Sequence, residues 1–534
     1  MTDIAILGGG LSGLTLALQL RGQLPDADIK VLERQQHPVP EAAHKVGEST
    51  VEIGAHYLAN VVGLKEHLQD DHLRKYGLRL FFDAGRSEDL SQAAELGASH
   101  LLSIPGYQVD RGILENHLAD RVQAAGIELV NGATITDLSL NEENEPHRIH
   151  YRADGNDRTM DCRWVVDAMS RGSVIKRRLN LAENNGHRCS SVWFRISELI
   201  DVAHWSTDVD WQNRCTQLPR MLSTNHLMGP GYWVWLIPLS SGSMSVGIVF
   251  DNDLHDFDRL KTYQGTLDWL ARHQPRCHRA IVESPGKLQD FRYLKNFSHG
   301  CRQVYSHHRW ALTGEAGVFL DPFYSPGSDF IGISNTYITD LICREMAGER
   351  IARRAQHYQR IYFSFYQSSL NLYRHQYPMF GHTRAMMAKT IWDYAYYWGV
   401  LSLFFFAGKL TDLAFFVRHA PMLEALRNLN IQMQHMFLAW AESESPVETS
   451  GLFVNQSALP LLVRLNRELT ETLEDPALDQ RLTDNGGMLT ELAGELRELA
   501  PETAAARVDL HREGVHKQSL LTGLPEDFVA PRFR

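Results

Sequence analysis

Gly8-Gly9-Gly10-Leu11-Ser12-Gly13 satisfies G-x-G-x-x-G between an apolar run, Ile4 to Leu7, and an amphipathic run reaching about Leu24. Strand, glycine turn and helix in that order cradle a dinucleotide. Gly8 permits the tight turn, Gly10 lets the main chain approach a pyrophosphate and Gly13 lets the helix pack close. The helix N-terminus, with Ser12 in its first turn, favours phosphate charge. Glu33 follows Gly13 by 20 residues, at the end of a second apolar run from Ile29, where a carboxylate accepts hydrogen bonds from a ribose; Arg34 adjoins it. A glycine turn kept for backbone geometry alone is the bland alternative, and the acid at the right distance speaks against it. The motif by itself does not separate FAD from NAD.

The elements that must carry this site follow from patterning. Strand-like runs at Trp164–Asp167, Met244–Val249 and Trp310–Thr313 alternate with helical segments to about residue 335. Beyond that, helical patterns dominate, first aromatic-rich and then rich in Leu, Glu and Arg. The expected fold is α/β: a Rossmann-like dinucleotide-binding fold, read as FAD-binding from the resemblance given below, with a mixed β-sheet substrate region, plus a mainly helical C-terminal subdomain. The expected divisions are an α/β body over 1–335, helices over 336–500 and an extended tail over 501–534.

At 534 residues and 44% hydrophobic content, the chain is long enough for a large core. A formal net charge of −11 argues against non-specific nucleic-acid binding, which needs a surplus of Lys and Arg. Six scattered cysteines without a C-x-x-C pair suggest neither a disulfide framework nor a structural zinc site, and the N-terminal residues lack a signal-peptide pattern. A cytoplasmic protein is expected. Ile391 to Gly408 is nearly long enough to span a bilayer, but it carries Asp393 and many aromatics, so a buried helix is preferred and membrane association is not expected.

Further segments carry a family resemblance. Trp310 to Pro322 resembles the flavin-contacting segment of single-domain FAD oxygenases, with Glu315 in place of the usual Asp. Trp164 to Asp167, followed by Ser170-Arg171-Gly172-Ser173, resembles a third segment of those proteins, its glycine displaced. Gly47-Glu48-Ser49-Thr50, then Lys75-Tyr76-Gly77-Leu78-Arg79, then Gly231 to Pro238 with Trp233 and Trp235, then Asp321 to Gly327 occur in the order seen in flavin-dependent halogenases. Over roughly residues 1 to 410 the chain resembles that family's pyrrole- and phenol-acting branch.

The resemblance implies a reaction in which reduced FAD, supplied by a separate NAD(P)H-dependent flavin reductase, uses O2 and chloride or bromide to make hypohalous acid. Lys75 is the implied catalytic residue, receiving the halogen and presenting it to an electron-rich arene. A lysine amine in an apolar channel has its charged form disfavoured. Trp233 and Trp235 are implied tunnel walls, with Tyr324 on the substrate side; one face of a core strand is the plain alternative for the two tryptophans. Ser325 and Gly327 are the implied halide site. The implied FAD set is Gly8, Gly10, Ser12, Gly13, Glu33, Arg34, Gly47, Glu48, Ser49, Arg111, Asp167, Glu315, Gly327 and Ser328.

Two departures bear on function. Tyr324 stands where tryptophan-acting members carry a substrate glutamate, and Pro326 stands where the family has threonine, removing an N–H. The resulting expectation is a halogenase of secondary metabolism acting on a phenol- or pyrrole-type small molecule, free or tethered to a carrier protein. A halogenase-like FAD monooxygenase without halide use and a non-catalytic flavin-binding module are the alternatives.

Overall fold

The computed structural model describes residues 1–142, 145–217, 219–444, 450–510 and 519–529. These form two compact units, each assembled from three stretches of chain. The first comprises Met1–His72, Val109–Gly186 and Ser298–Gln367; the second comprises Leu73–Gln108, His187–Phe297 and Ser368–Arg534.

The first unit is built on a seven-stranded sheet. Glu128–Val130, Ile29–Leu32, Thr2–Leu7 and Asn156–Asp167 run side by side in parallel, and Trp310–Leu312 pairs with the end of the last of these. His147–Ala153 and Thr134–Ser139 extend the sheet in antiparallel sense. Ile4, Ala5, Ile6 and Leu7 are fully buried, as a parallel strand covered on both faces requires. The helix Leu11–Gln23 follows the first strand, so the Rossmann-type beginning expected from the glycine motif is present.

The second unit is built on an eight-stranded mixed sheet. Its order is Leu288–Leu294, Cys189–Ile196, Met244–Asp251, Tyr232–Pro238, Thr224–Gly229, Leu78–Phe82, Ala94–Gly97 and Phe453–Asn455. The last strand comes from the segment between two long helices and adds in parallel to the edge. One sheet face buries Phe81, Val192, Phe194, Val234, Val246, Ile248 and Phe250 with Trp211 and Trp269. The long helices of this unit are Leu413–Ser443 and Asp475–Leu499.

Ile391–Gly408 is helical and largely buried, but it is broken: a helix to Tyr396 passes through a π-turn, Tyr397–Ser402, into the short helix Leu403–Phe406. Its acid is neutralised locally, with Asp393 Oδ2 2.6 Å from Lys389 Nζ and Oδ1 accepting from Gln434 Nε2 at 2.8 Å. Among the described residues no helix is long and apolar enough to cross a membrane. The tail expected over 501–534 contains one-turn helices at Glu502–Ala505 and Glu526–Val529; residues 511–518 and 530–534 lie outside the described set.

Candidate functional site

In the first unit the parallel strands end in register. Leu7 lies beside Leu32 on one side and Asp167 on the other, and Asp167 lies beside Leu312. Four turns distant in sequence therefore leave the sheet at one edge: 8–13, the residues after Leu32, 168–173 and 313–317. The crevice at the carboxyl ends of parallel strands is where such sheets bind ligands.

The glycine motif is built for close approach there. At Gly13 a Cβ would lie 2.0 Å from the Gly8 carbonyl oxygen, so helix and turn pack only because none is present. At Gly10 a Cβ would meet only side-chain tips, Lys45 Nζ at 3.0 Å and Glu115 Oε1 at 3.9 Å. The main chain at Gly10 is thus covered by a flexible amine rather than by backbone. Glu33 accepts from Gly9 N at 2.5 Å and from Gln35 N at 2.7 Å, which leaves further lone pairs on the same carboxylate for ribose hydroxyls. Arg34, after the strand, is exposed. These residues fit a dinucleotide.

Around this turn the structure gathers charge that the motif does not reveal. Glu115, on the helix Arg111–Ala124, is buried and contacts Arg111 of its own helix, Lys45 Nζ at 2.8 Å and His44 Nε2 at 3.0 Å. Burial opposes its charge, but the Arg111 cation and the hydrogen bonds from His44 and Lys45 outweigh this and hold the carboxyl well below the usual range. Two permanent cations against one carboxylate leave net positive charge beside Gly10, as a diphosphate requires.

The remaining expected flavin residues fall around these turns. Arg111 donates to the Val46 carbonyl at 2.9 Å and its guanidinium lies 2.8 Å from where a Cβ on Gly47 would be. The Glu48 carbonyl accepts from Val109 N at 2.7 Å, the Glu48 side chain is buried and Ser49 is half-buried. Ser12 Oγ lies 3.0 Å from the Cβ position of Gly314, and Glu315 accepts from Ser170 Oγ at 2.6 Å. Asp167 is fully buried, and its carboxylate fastens its own turn, accepting from Met169 N, Ser173 Oγ and Ile175 N at 2.8–3.0 Å. Burial raises its pKa.

Gly327–Met346 is a helix capped by Pro326. Ser325 precedes it at φ +57°, its N–H donating to the Pro322 carbonyl at 2.9 Å, and Tyr324 packs on Phe323 with centroids 4.7 Å apart. Ser328 abuts Gly54, and Asp329 Oδ1 accepts from Gly54 N at 2.8 Å, so the helix beginning at Glu52 is locked onto this N-terminus.

Lys75 belongs to the second unit. It ends the strand Leu73–Lys75, which pairs antiparallel with Gly106–Gln108, and it is 5% exposed, not a solvated surface lysine. Tyr76 N donates to the Leu222 carbonyl at 2.9 Å, and Ser223 Oγ donates to the Tyr76 carbonyl at 2.9 Å. Behind Ser223 stands a buried ion cluster. Arg79 and Arg220 both grip Glu95, Arg220 Nε at 3.0 Å from Glu95 Oε1, and Arg79 Nε donates to Ser223 Oγ at 3.3 Å. Burial opposes the Glu95 charge, yet the two arginines keep its pKa below the ordinary carboxylate value.

Trp233 and Trp235 sit on the strand Tyr232–Pro238, facing away from the core that holds Tyr232, Val234 and Leu236. Their rings are 5.7 Å apart; Trp233 Nε1 donates to Tyr377 Oη at 2.9 Å and Trp235 Nε1 to Ser245 Oγ at 3.1 Å. Trp235 lies flat over Gly247, where any side chain would collide with the indole. His226 packs against Trp233 at 4.7 Å. Burial, and then the positive charge of Lys75, hold the His226 imidazole well below its ordinary pKa, so it is neutral near pH 7.

Residues 1–239 match the FAD binding domain family. Flavin-dependent halogenase chlA of Dictyostelium discoideum is 25% identical over 372 residues, covering 64% of this chain and 60% of that protein. The 1H-pyrrole-2-carbonyl peptidyl-carrier-protein chlorinase of Pseudomonas fluorescens is 25% identical over 350 residues, covering 61% of this chain and 72% of that one. Over about three fifths of its length the chain is similar to flavin-dependent halogenases. Among solved structures, halogenase PltM aligns with a TM-score of 0.64 at 16% identity, covering 95% of this chain and 98% of its own, which places the fold. A flavoprotein/dehydrogenase from Cytophaga hutchinsonii aligns with a TM-score of 0.57 at 18% identity, covering 83% and 98%.

The motif order read from the sequence agrees with the FAD binding domain match and with these halogenase relatives. What the motifs missed are side chains that meet only in the fold. Lys45 adjoins the Gly47-Glu48-Ser49 motif, so position could have raised it; Glu115 carries no local signal. Arg79 stood inside the lysine motif, but its partners Glu95 and Arg220, like His226 and Tyr377, lie in segments with no readable pattern.

Proposed function

We propose that this protein halogenates an electron-rich aromatic small molecule of phenol or pyrrole type. The observation that carries the reading is Lys75, an amine buried beside a neutral imidazole and near paired indoles, in a chain that also carries an FAD turn. Bound reduced FAD would supply the oxidising chemistry, consuming O2 and halide to yield hypohalous acid. Gly8, Gly10 and Gly13 would hold the cofactor's phosphates at the helix N-terminus, Lys45 and Arg111 would balance their charge, and Glu33 would take the ribose. Halide is held by the main chain near Ser325 and Gly327. Lys75 receives the halogen and directs it to the arene, where a C–H bond becomes a C–halogen bond and water is the by-product. His226, neutral, places no second positive charge beside the amine. Trp233 and Trp235 keep water from the reactive halogen.

The pyrrole-acting carrier-protein relatives favour a carrier-tethered substrate, and the reduced cofactor would come from a separate NAD(P)H-dependent flavin reductase. Incubation with reduced FAD, O2, bromide and a panel of phenols and pyrroles should give brominated products. Lys75→Ala should cut product formation about 10³-fold while leaving FAD binding and O2 uptake intact. Hydroxylated product without bromination would favour the second reading, a monooxygenase that does not use halide. Pro326, which caps the halide-side helix without an N–H to donate, is the observation behind that reading.

A further inference from the structure

The ribbon that presents Lys75 carries a second polar group on the same face. In its register Lys75 lies opposite Gly106, and Leu73 lies opposite Gln108. Residues directly opposite in an antiparallel pair project to one side, so Lys75, Gly106, Leu73 and Gln108 share a face while Arg74 and Tyr107 take the other. Lys75 and Gln108 are both buried; on the other face Arg74 is exposed and Tyr107 is buried. Gln108 is diagonal to Lys75, with Cβ atoms about 7 Å apart in such pairs, and the position directly across from the lysine has no side chain.

Gln108 is fully buried, and its amide is used on one side only. Nε2 donates to the Leu222 carbonyl at 2.9 Å, the same carbonyl that receives Tyr76 N. Because a carbonyl only accepts, this bond fixes which end of the amide is nitrogen. The other end, Oε1, is buried and has no hydrogen-bond partner among the described residues. A buried acceptor left open beside a reactive amine is suited to a donor brought in by a ligand.

We propose that Gln108 Oε1 accepts the phenolic O–H or pyrrole N–H of the aromatic substrate, making Gln108 a specificity-determining residue of the site at Lys75. The inference rests on the halogenase reading and narrows its substrate to arenes bearing such a donor. The ring then lies over Gly106, between acceptor and amine. A hydrogen bond from O–H or N–H also shifts electron density into the ring, which makes its carbons better acceptors of an electrophilic halogen.

The test uses the FAD-loaded protein and two pairs of probes, phenol against anisole and pyrrole against N-methylpyrrole. Each pair differs in the donor. Binding is read by quenching of indole fluorescence, and bromination is read with reduced FAD, bromide and O2. Wild type should prefer the donor of each pair by on the order of tenfold. Gln108→Met, of similar length, should bring both ratios close to one while O2 uptake stays unchanged. Should Gln108→Met fail to retain FAD, Gln108→Glu, which keeps an acceptor oxygen, decides the matter by retaining the binding preference. A wild type that treats the members of each pair alike overturns the inference, as does a Met variant with wild-type ratios or a folded Glu variant that loses them. Absence of bromination with every probe removes the halogenase reading instead, and the binding ratios still report on Gln108.

Discussion

The FAD turn and the lysine ribbon solve different problems with different materials. At the turn, the groups offered to a ligand are largely main chain, supplied by residues 8–13 and steadied by one acid, Glu33, through Gly9 N. At the ribbon, they are side chains drawn from separate strands and turns: Lys75, Gln108, His226 and Trp233, held by Leu222, Ser223 and Tyr377. A main-chain site needs only a short segment of the right shape. A side-chain site must be held by everything behind it, and here that backing is an ion cluster with no solvent access.

The largest effect is therefore expected behind the ribbon. Glu95→Ala strands Arg79 and Arg220 as uncompensated buried charges and should destabilise the protein by about 3–5 kcal/mol, read as a lowered urea midpoint. An unchanged midpoint would mean that the ribbon does not depend on this cluster.

A smaller effect is expected at the turn. Glu33→Ala removes one charge-assisted partner and should weaken FAD binding about tenfold to a hundredfold, followed by quenching of FAD fluorescence. Riboflavin, which lacks the adenosine ribose, should bind as before; equal losses for both ligands would place Glu33 in backbone support alone.

The smallest effect concerns the residue just before the ribbon. His72 is buried, its Nδ1 accepts from Asp110 N at 3.2 Å, and its ring lies 4.9 Å from His67, which stacks on His117 at 3.8 Å. Burial, then the neighbouring His67, lower its pKa to about 3, against roughly 6.5 in the unfolded chain. The unfolded state therefore binds the extra proton between those values, and stability should fall as pH drops from about 6.5 toward 3. His72→Gln should flatten that part of the urea-midpoint profile, and a profile as steep as wild type would assign the pH response to other groups.

Legibility in the sequence followed the same division. The FAD turn was readable because strand, glycines, helix and acid occupy one continuous segment, with spacing set by main-chain geometry. The tryptophan pair was readable as an alternation, but period two alone does not say which sheet face it occupies. The structure turns Trp233 and Trp235 away from the large core cluster and gives each indole N–H a partner. Ile391–Gly408 showed its burial in composition but not its π-turn, because the break carries neither proline nor a polar cluster to mark it.

The sequence alone determined the FAD-binding fold, the likeness to flavin-dependent halogenases and the identity of Lys75 as the residue to examine, since each is written in contiguous residues under local geometric rules. Only the tertiary structure decided that Lys75 is buried, that Lys45 covers Gly10, that His226 is neutral and that Gln108 shares a face with the lysine. Those facts depend on strand register and on which distant side chains exclude water from a given atom, and neither is encoded in the spacing of any single segment.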